Sequence, residues 1–178
     1  MPNPHWTFEP DEGINFGQPF VPGPEGIPLL TYGEYGGPGY TGGHYLPPGS
    51  ASPPADYEVA PIDPLDALFR LHDIANDPVL SGTDPLAQAQ ADVALIQGIA
   101  RLPDPKLDAQ ASIYGGLATL GLIARVESGP YDDLLSDRQD LRYTVGALED
   151  VNRGLHDLTP TEVAAATPYL HTIFDLYL

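Results

Sequence analysis

The chain has 178 residues and sets 7 Lys+Arg against 25 Asp+Glu, a formal charge of −18 at pH 7. So acidic a chain gains nothing from counterion release on a phosphate backbone, which excludes a DNA- or RNA-binding role. It has no cysteine, and that removes disulfide frameworks, thiol nucleophiles and Cys-based zinc sites together.

Hydrophobic residues make up 42%, enough for a core, and the length suits a single domain over residues 1–178. No apolar run is long enough to cross a bilayer, so no transmembrane segment is expected. Residues Met1 to Pro10 read without a basic or an apolar leader stretch.

Residues 1–62 hold 13 Pro and 11 Gly, against 8 and 8 in the longer remainder, so this third is expected to be loop and turn. It also carries Trp6, Phe8, Phe16, Phe20 and five tyrosines. Disordered segments are poor in aromatics, so an ordered, irregular arm with its rings packed on the rest is expected. No alternating run of strand length stands out, though the arm or Gly115 has room for a short hairpin.

From residue 63 the chain reads as helices. Asp63-Pro64, Asp84-Pro85 and Asp104-Pro105 each place an N-cap acceptor before a proline at the first helical position, and Thr159-Pro160 is a variant. The expected helices run over 63–77, 84–101, 105–128, 131–155 and 160–176, with Gly129-Pro130 between the third and fourth. The fold class is therefore mainly α.

Two helices place charge on apolar stripes. Leu65, Leu68, Phe69 and His72 follow helical spacing, with Asp73 bordering the same stripe. On the next helix Asp92 shares a face with Leu95, Ile96 and Ile99. A carboxylate there is costly without a partner, and an imidazole on the neighbouring helix is one candidate. The residues alone leave open a purely structural His–Asp hydrogen bond or a helix-end carboxylate facing water.

The segment 32–43 has six glycines in twelve residues. Glycine admits backbone conformations that bring several carbonyls to one point. Calcium takes six to eight oxygen ligands, backbone carbonyls among them, with carboxylates supplying charge. A glycine loop with Asp73 therefore has the makings of a calcium site. A phosphate cradle fits less well, because no Lys or Ser/Thr follows at P-loop spacing.

Loop and helix together resemble the secreted phospholipase A2 superfamily, which pairs a Y-x-G-x-G loop with a helix bearing His-Asp. Here these read Tyr35-Gly36-Gly37-Pro38-Gly39 and His72-Asp73. The loop is similar to the Y-x-G-P-G form of parvovirus capsid phospholipase domains. Pro61-Ile62-Asp63-Pro64-Leu65-Asp66 matches the family's P-x-D-x-x-D lead-in, and the helix with Asp92 resembles the one that supplies its second aspartate. The likeness covers residues 32–101.

The resemblance implies two antiparallel catalytic helices (63–101) with a calcium loop (32–43), followed by a helical extension (104–178). Calcium would be held by the carbonyls of Tyr35, Gly37 and Gly39 and the Asp73 carboxylate. His72 would be the general base and Asp92 its orienting partner. The Gly37 N–H would serve the oxyanion. Tyr40, His44 and Tyr45 are candidates for the substrate entrance, with loop packing as the other reading. The implied activity is calcium-dependent hydrolysis of the sn-2 acyl ester of glycerophospholipids at a membrane or micelle surface. A calcium requirement suits secretion or delivery outside the cytosol.

The chain departs from the pattern where the animal enzymes carry disulfide cysteines. Those positions are Glu34, Gly36, Leu68, Phe69 and Ala75, and burial of Leu68 and Phe69 is expected to substitute for bridging. Asn76 stands where the family often has tyrosine. Two other readings are a non-catalytic calcium-dependent lipid- or protein-binding module and a structural helical domain of a larger secreted or viral protein. His156-Asp157 repeats the dipeptide at a helix end, where a histidine favours the helix dipole and no glycine loop precedes it.

Overall fold

The computed structural model describes residues 6–9, 29–37, 40–45, 57–103 and 108–160. Gly39, His5, Lys106, His171 and the expected helix beyond Pro160 lie outside the described residues. Within them the protein is mainly helical, as its sequence leads one to expect.

Helix α1 spans Pro64–Asn76 and α2 spans Pro85–Ile99. Both start as their Asp-Pro signals direct. The Asp63 side chain accepts the Asp66 N–H at 2.8 Å, and Asp84 accepts the Leu86 N–H at 3.0 Å. Asp77 then stops α1, its carboxylate taking the N–H groups of Val79 at 2.7 Å and Leu80 at 3.2 Å. Helix α3 covers Ala109–Ser128 and is capped by Asp108, which accepts the Ala111 N–H at 2.8 Å.

The expected helix over 131–155 is corrected. A single 3-10 turn forms at Asp132–Leu134, and α4 runs from Asp137 to Asp157. The break has a packing cause. Leu135 drops into the core, and Ser136 then restarts the chain, its N–H donating to Gln139 Oε1 at 3.2 Å.

The arm holds two short antiparallel pairs. Strand β1, Trp6–Glu9, pairs with β2, Leu29–Tyr32. Strand β3, Tyr40–Thr41, pairs with β4, His44–Tyr45. Gly42 and Gly43 form the two-residue turn of the second pair with φ of 58° and 77°. Two successive positive φ values are what such a tight hairpin requires, and glycine reaches them without strain.

Helix α1 packs on α2, α2 on α3, and α3 on α4. Buried Tyr32, Tyr35, Leu65, Phe69, Leu95, Ile99, Ile113 and Tyr114 form one apolar cluster. Val93, Ile96, Ile123, Val126, Leu135 and Tyr143 form a second. Helix α3 contributes to both, so it backs the glycine-rich loop at one end and α2 at the other. Phe69 is buried as expected, worth about 1.5–3 kcal/mol, while Leu68 is partly buried against the first cluster.

Candidate functional site

Three elements converge on His72. Its Nε2 lies 2.8 Å from Asp92 Oδ1 on α2. Its Nδ1 faces Asp73 Oδ1 at the longer distance of 3.8 Å. The stripe positions of His72 and Asp92 thus come together as the helical spacing anticipated. Both side chains are largely shielded, at 15% and 5% exposure.

Asp92 has a second partner that the sequence did not disclose. Arg125, on α3, bonds both of its oxygens: Nε donates to Oδ2 at 2.6 Å and Nη2 donates to Oδ1. Arg125 Nη2 also comes within 3.4 Å of His72 Nε2. Asn76, four residues after His72, donates to the His72 carbonyl at 2.9 Å.

Burial by itself lowers the His72 pKa, but the nearby Asp73 carboxylate, the hydrogen bond to Asp92 and the Asp92 charge carry it above its ordinary value. Arg125 opposes that rise. The ring is therefore a group that titrates on the alkaline side of an ordinary histidine in the metal-free protein.

Asp73 is held differently. Burial raises its pKa, while His72 and the nearby Thr41 hydroxyl of β3 favour the anion. In hydrogen-bond geometry neither Asp73 Oδ2 nor Thr41 Oγ1 has a partner among the described residues, although both are buried. A carboxylate oxygen so placed could serve a hard cation, although no group of three or more His, Asp or Glu suited to a metal ion gathers among the described residues. Asp73 also stands beside the loop: Thr41 follows Tyr40, whose N–H donates to the Gly37 carbonyl at 3.1 Å. This donor set fits calcium better than a softer metal, since every candidate atom is oxygen.

Asp66 ties that loop to α1. Fully buried, its carboxylate accepts the N–H groups of Tyr35 at 2.9 Å, Ile62 at 3.0 Å and Glu34 at 3.1 Å. Burial raises its pKa and the three backbone donors partly offset the rise. Gly33 makes the approach possible, with φ of 59°; a Cβ there would lie 2.4 Å from Asp66 Cγ. Gly37 also has positive φ, 153°.

The tyrosines lock the loop from outside. Tyr35 is buried and donates to the Val59 carbonyl at 2.6 Å. Tyr32 donates to Asp63 and stacks on Tyr114 of α3 with centroids 5.2 Å apart. Tyr57 donates to Asp77 Oδ2 at 2.9 Å. Tyr40 reaches the Gly33 carbonyl at 3.5 Å, a contact internal to the loop. His44 and Tyr45 are placed in β4, two and three residues beyond the Gly42 turn.

His156 is exposed in the last turn of α4, apart from this group, as its position suggested. Arg125, Asp66 and Thr41 are what the sequence reading missed as site-builders. A lone arginine in the largely apolar stretch 111–126 was the available signal for the first.

Comparison with known proteins finds no matching family model, no matching curated protein and no matching solved structure.

Proposed function

We propose that the protein is a calcium-dependent phospholipase A2-like hydrolase that cleaves the sn-2 acyl ester of glycerophospholipids. One observation carries the reading. Asp92 engages His72 through Nε2, leaving Nδ1 on the side of Asp73, whose inner oxygen is buried and has no donor among the described residues. A base with an orienting carboxylate, set beside a second buried carboxylate, serves hydrolysis better than binding alone, which needs no base. The glycine-rich loop that Asp66 fastens to α1 supports the same reading.

In this mechanism neutral His72 takes a proton from water at Nδ1 as the water oxygen bonds to the ester carbonyl carbon. Asp92 holds the ring through Nε2–H and stabilises the imidazolium that forms. The Gly37 N–H donates to the developing oxyanion. Collapse breaks the sn-2 C–O bond, and the proton on Nδ1 passes to the departing lysophospholipid alkoxide. Free fatty acid and lysophospholipid leave with no acyl-enzyme. On this reading the Asp73 carboxylate and the carbonyls of Tyr35, Gly37 and Gly39 would hold a calcium ion, which would add Lewis-acid stabilisation of the oxyanion.

On this reading the partner is a membrane or micelle surface, and a calcium requirement suits secretion or delivery outside the cytosol. The test is lysophospholipid release from dispersed phosphatidylcholine during a calcium titration. Turnover should need calcium and stop in chelator. His72→Gln should lower it about 10²–10⁴-fold while calcium binding persists. Full activity in chelator would overturn the reading. Calcium binding without turnover would leave the non-catalytic binding module in its place.

A further inference from the structure

We propose that Arg125 is the positioning residue of the His72–Asp92 pair, so that α3 completes the active site instead of merely extending the fold. The inference rests on the phospholipase reading above, and it adds a residue that the resemblance does not supply.

The geometry is specific. Asp92 offers two oxygens, and His72 engages only Oδ1. Arg125 closes on both, with Nε on Oδ2 and Nη2 on Oδ1. That fork is the fixed planar arrangement with which a guanidinium recognises a carboxylate. Asp92 is 3% exposed, so without Arg125 its Oδ2 would be left as a buried anion free to rotate away from the ring. Besides His72 and Arg125, no side chain among the described residues donates to Asp92, and Asn76 is committed to the His72 carbonyl.

Position and chemistry separate this role from a surface ion pair. Arg125 itself is 57% exposed, yet the carboxylate it grips is only 5% exposed. It lies 33 residues from Asp92 and 53 from His72, so it joins a third helix to the pair. The α2–α3 packing through Val93, Ile96, Ile123 and Val126 sets the distance between them.

The experiment compares the full chain with Arg125→Ala and Arg125→Lys. Turnover of dispersed phosphatidylcholine, calcium affinity, and the His72 Nε2 proton in the NMR spectrum are measured on each. Arg125→Ala should lower kcat about 10–100-fold, the size expected for loss of an orienting outer partner. KM and calcium affinity should hold. The Nε2 proton signal should broaden or move upfield as the Asp92 carboxylate loosens. Arg125→Lys should recover only part of kcat, because an ammonium cannot bond both oxygens in one plane. Millimolar guanidinium added to Arg125→Ala should restore turnover, since the side chain's site is open to solvent.

Wild-type kcat in Arg125→Ala, or full recovery by lysine with no rescue by guanidinium, would overturn the proposal. If the wild type itself has no turnover in calcium, the phospholipase reading fails first. The Nε2 proton then decides the positioning role by itself: an unchanged signal in Arg125→Ala overturns it and a displaced one upholds it.

Discussion

A buried oxygen without a donor costs about 1–3 kcal/mol, and among the described residues none donates to Asp73 Oδ2. Its raised pKa means the folded state binds a proton more tightly than the unfolded chain. Stability therefore falls as pH climbs from the ordinary carboxylate value toward the raised one, and the full cost stands above it. In chelator at pH 8, Asp73→Asn should melt higher than wild type, with the gap closing in acid. Calcium at a hundred times its Kd should then stabilise wild type by about 2.7 kcal/mol and leave the variant unmoved. Thermal melts in both conditions check this; a wild-type Tm indifferent to calcium would remove Asp73 as a ligand. His72 has linkage of the same sign, in a higher pH window. Its pKa is raised, so its pairing stabilises the fold fully below pH 6.5 and that contribution is lost as pH rises through the folded value. In the calcium-free protein, an NMR titration should place His72 above 6.5, and Asp92→Asn should bring it down while cutting turnover. An unmoved pKa would return the pair to a structural hydrogen bond.

At the scale of elements, the Asp66 carboxylate ties the backbone of the loop to α1. Asp66 gathers three backbone N–H groups from two segments outside α1, and Gly33 must pass against it. Gly33→Ala would put a methyl group into that carboxylate at a φ that alanine rarely adopts. The cost should be about 1–3 kcal/mol, seen as a lower Tm. On the calcium reading, affinity should drop at least severalfold although no proposed ligand is altered, because the loop that carries Tyr35 and Gly37 would be pushed away from α1. Calorimetric titration of the variant checks this, and unaltered affinity would detach the loop from the metal site. The α1–α2 pair should be spared, leaving the His72–Asp92 contact in place. That separation follows from the packing, since Leu65 and Phe69 of α1 also share a cluster with Leu95 and Ile99 of α2, and Arg125 of α3 holds Asp92.

For the whole molecule, charge governs the encounter with lipid. At −18 the protein has no excess of cations to draw it to anionic vesicles. Vesicles of anionic lipid at 0.01 M salt, where the Debye length is about 30 Å, should be hydrolysed more slowly than zwitterionic ones. Raising salt to 0.1 M, which shortens that length to about 10 Å, should narrow the difference. Sedimentation with vesicles in chelator gives the binding directly. Tight calcium-free adsorption to anionic lipid would contradict the electrostatic argument. No described helix is long and apolar enough to cross a membrane, so on this reading the lipid meets the protein from outside.

What could be read from the sequence was local. The Asp-Pro signals place α1 and α2 within two residues of their observed ends, because a cap and its first turn involve only neighbours. Helical spacing put His72 and Asp92 on inward faces, and net charge follows from composition alone. The fourth helix was misjudged at its start, since the burial of Leu135 that breaks it is a tertiary event. Arg125 was invisible as a partner for the same reason: nothing within a few residues of it indicates that α3 will cross α2 at Asp92. Nor does the lead-in around Asp66 show that its carboxylate will collect N–H groups from Glu34 and Tyr35, over 30 residues away. Short-range preferences decide which segments are helices and which faces turn inward. The pairing of buried charges is decided by where those faces meet, and that depends on the packing of the whole core.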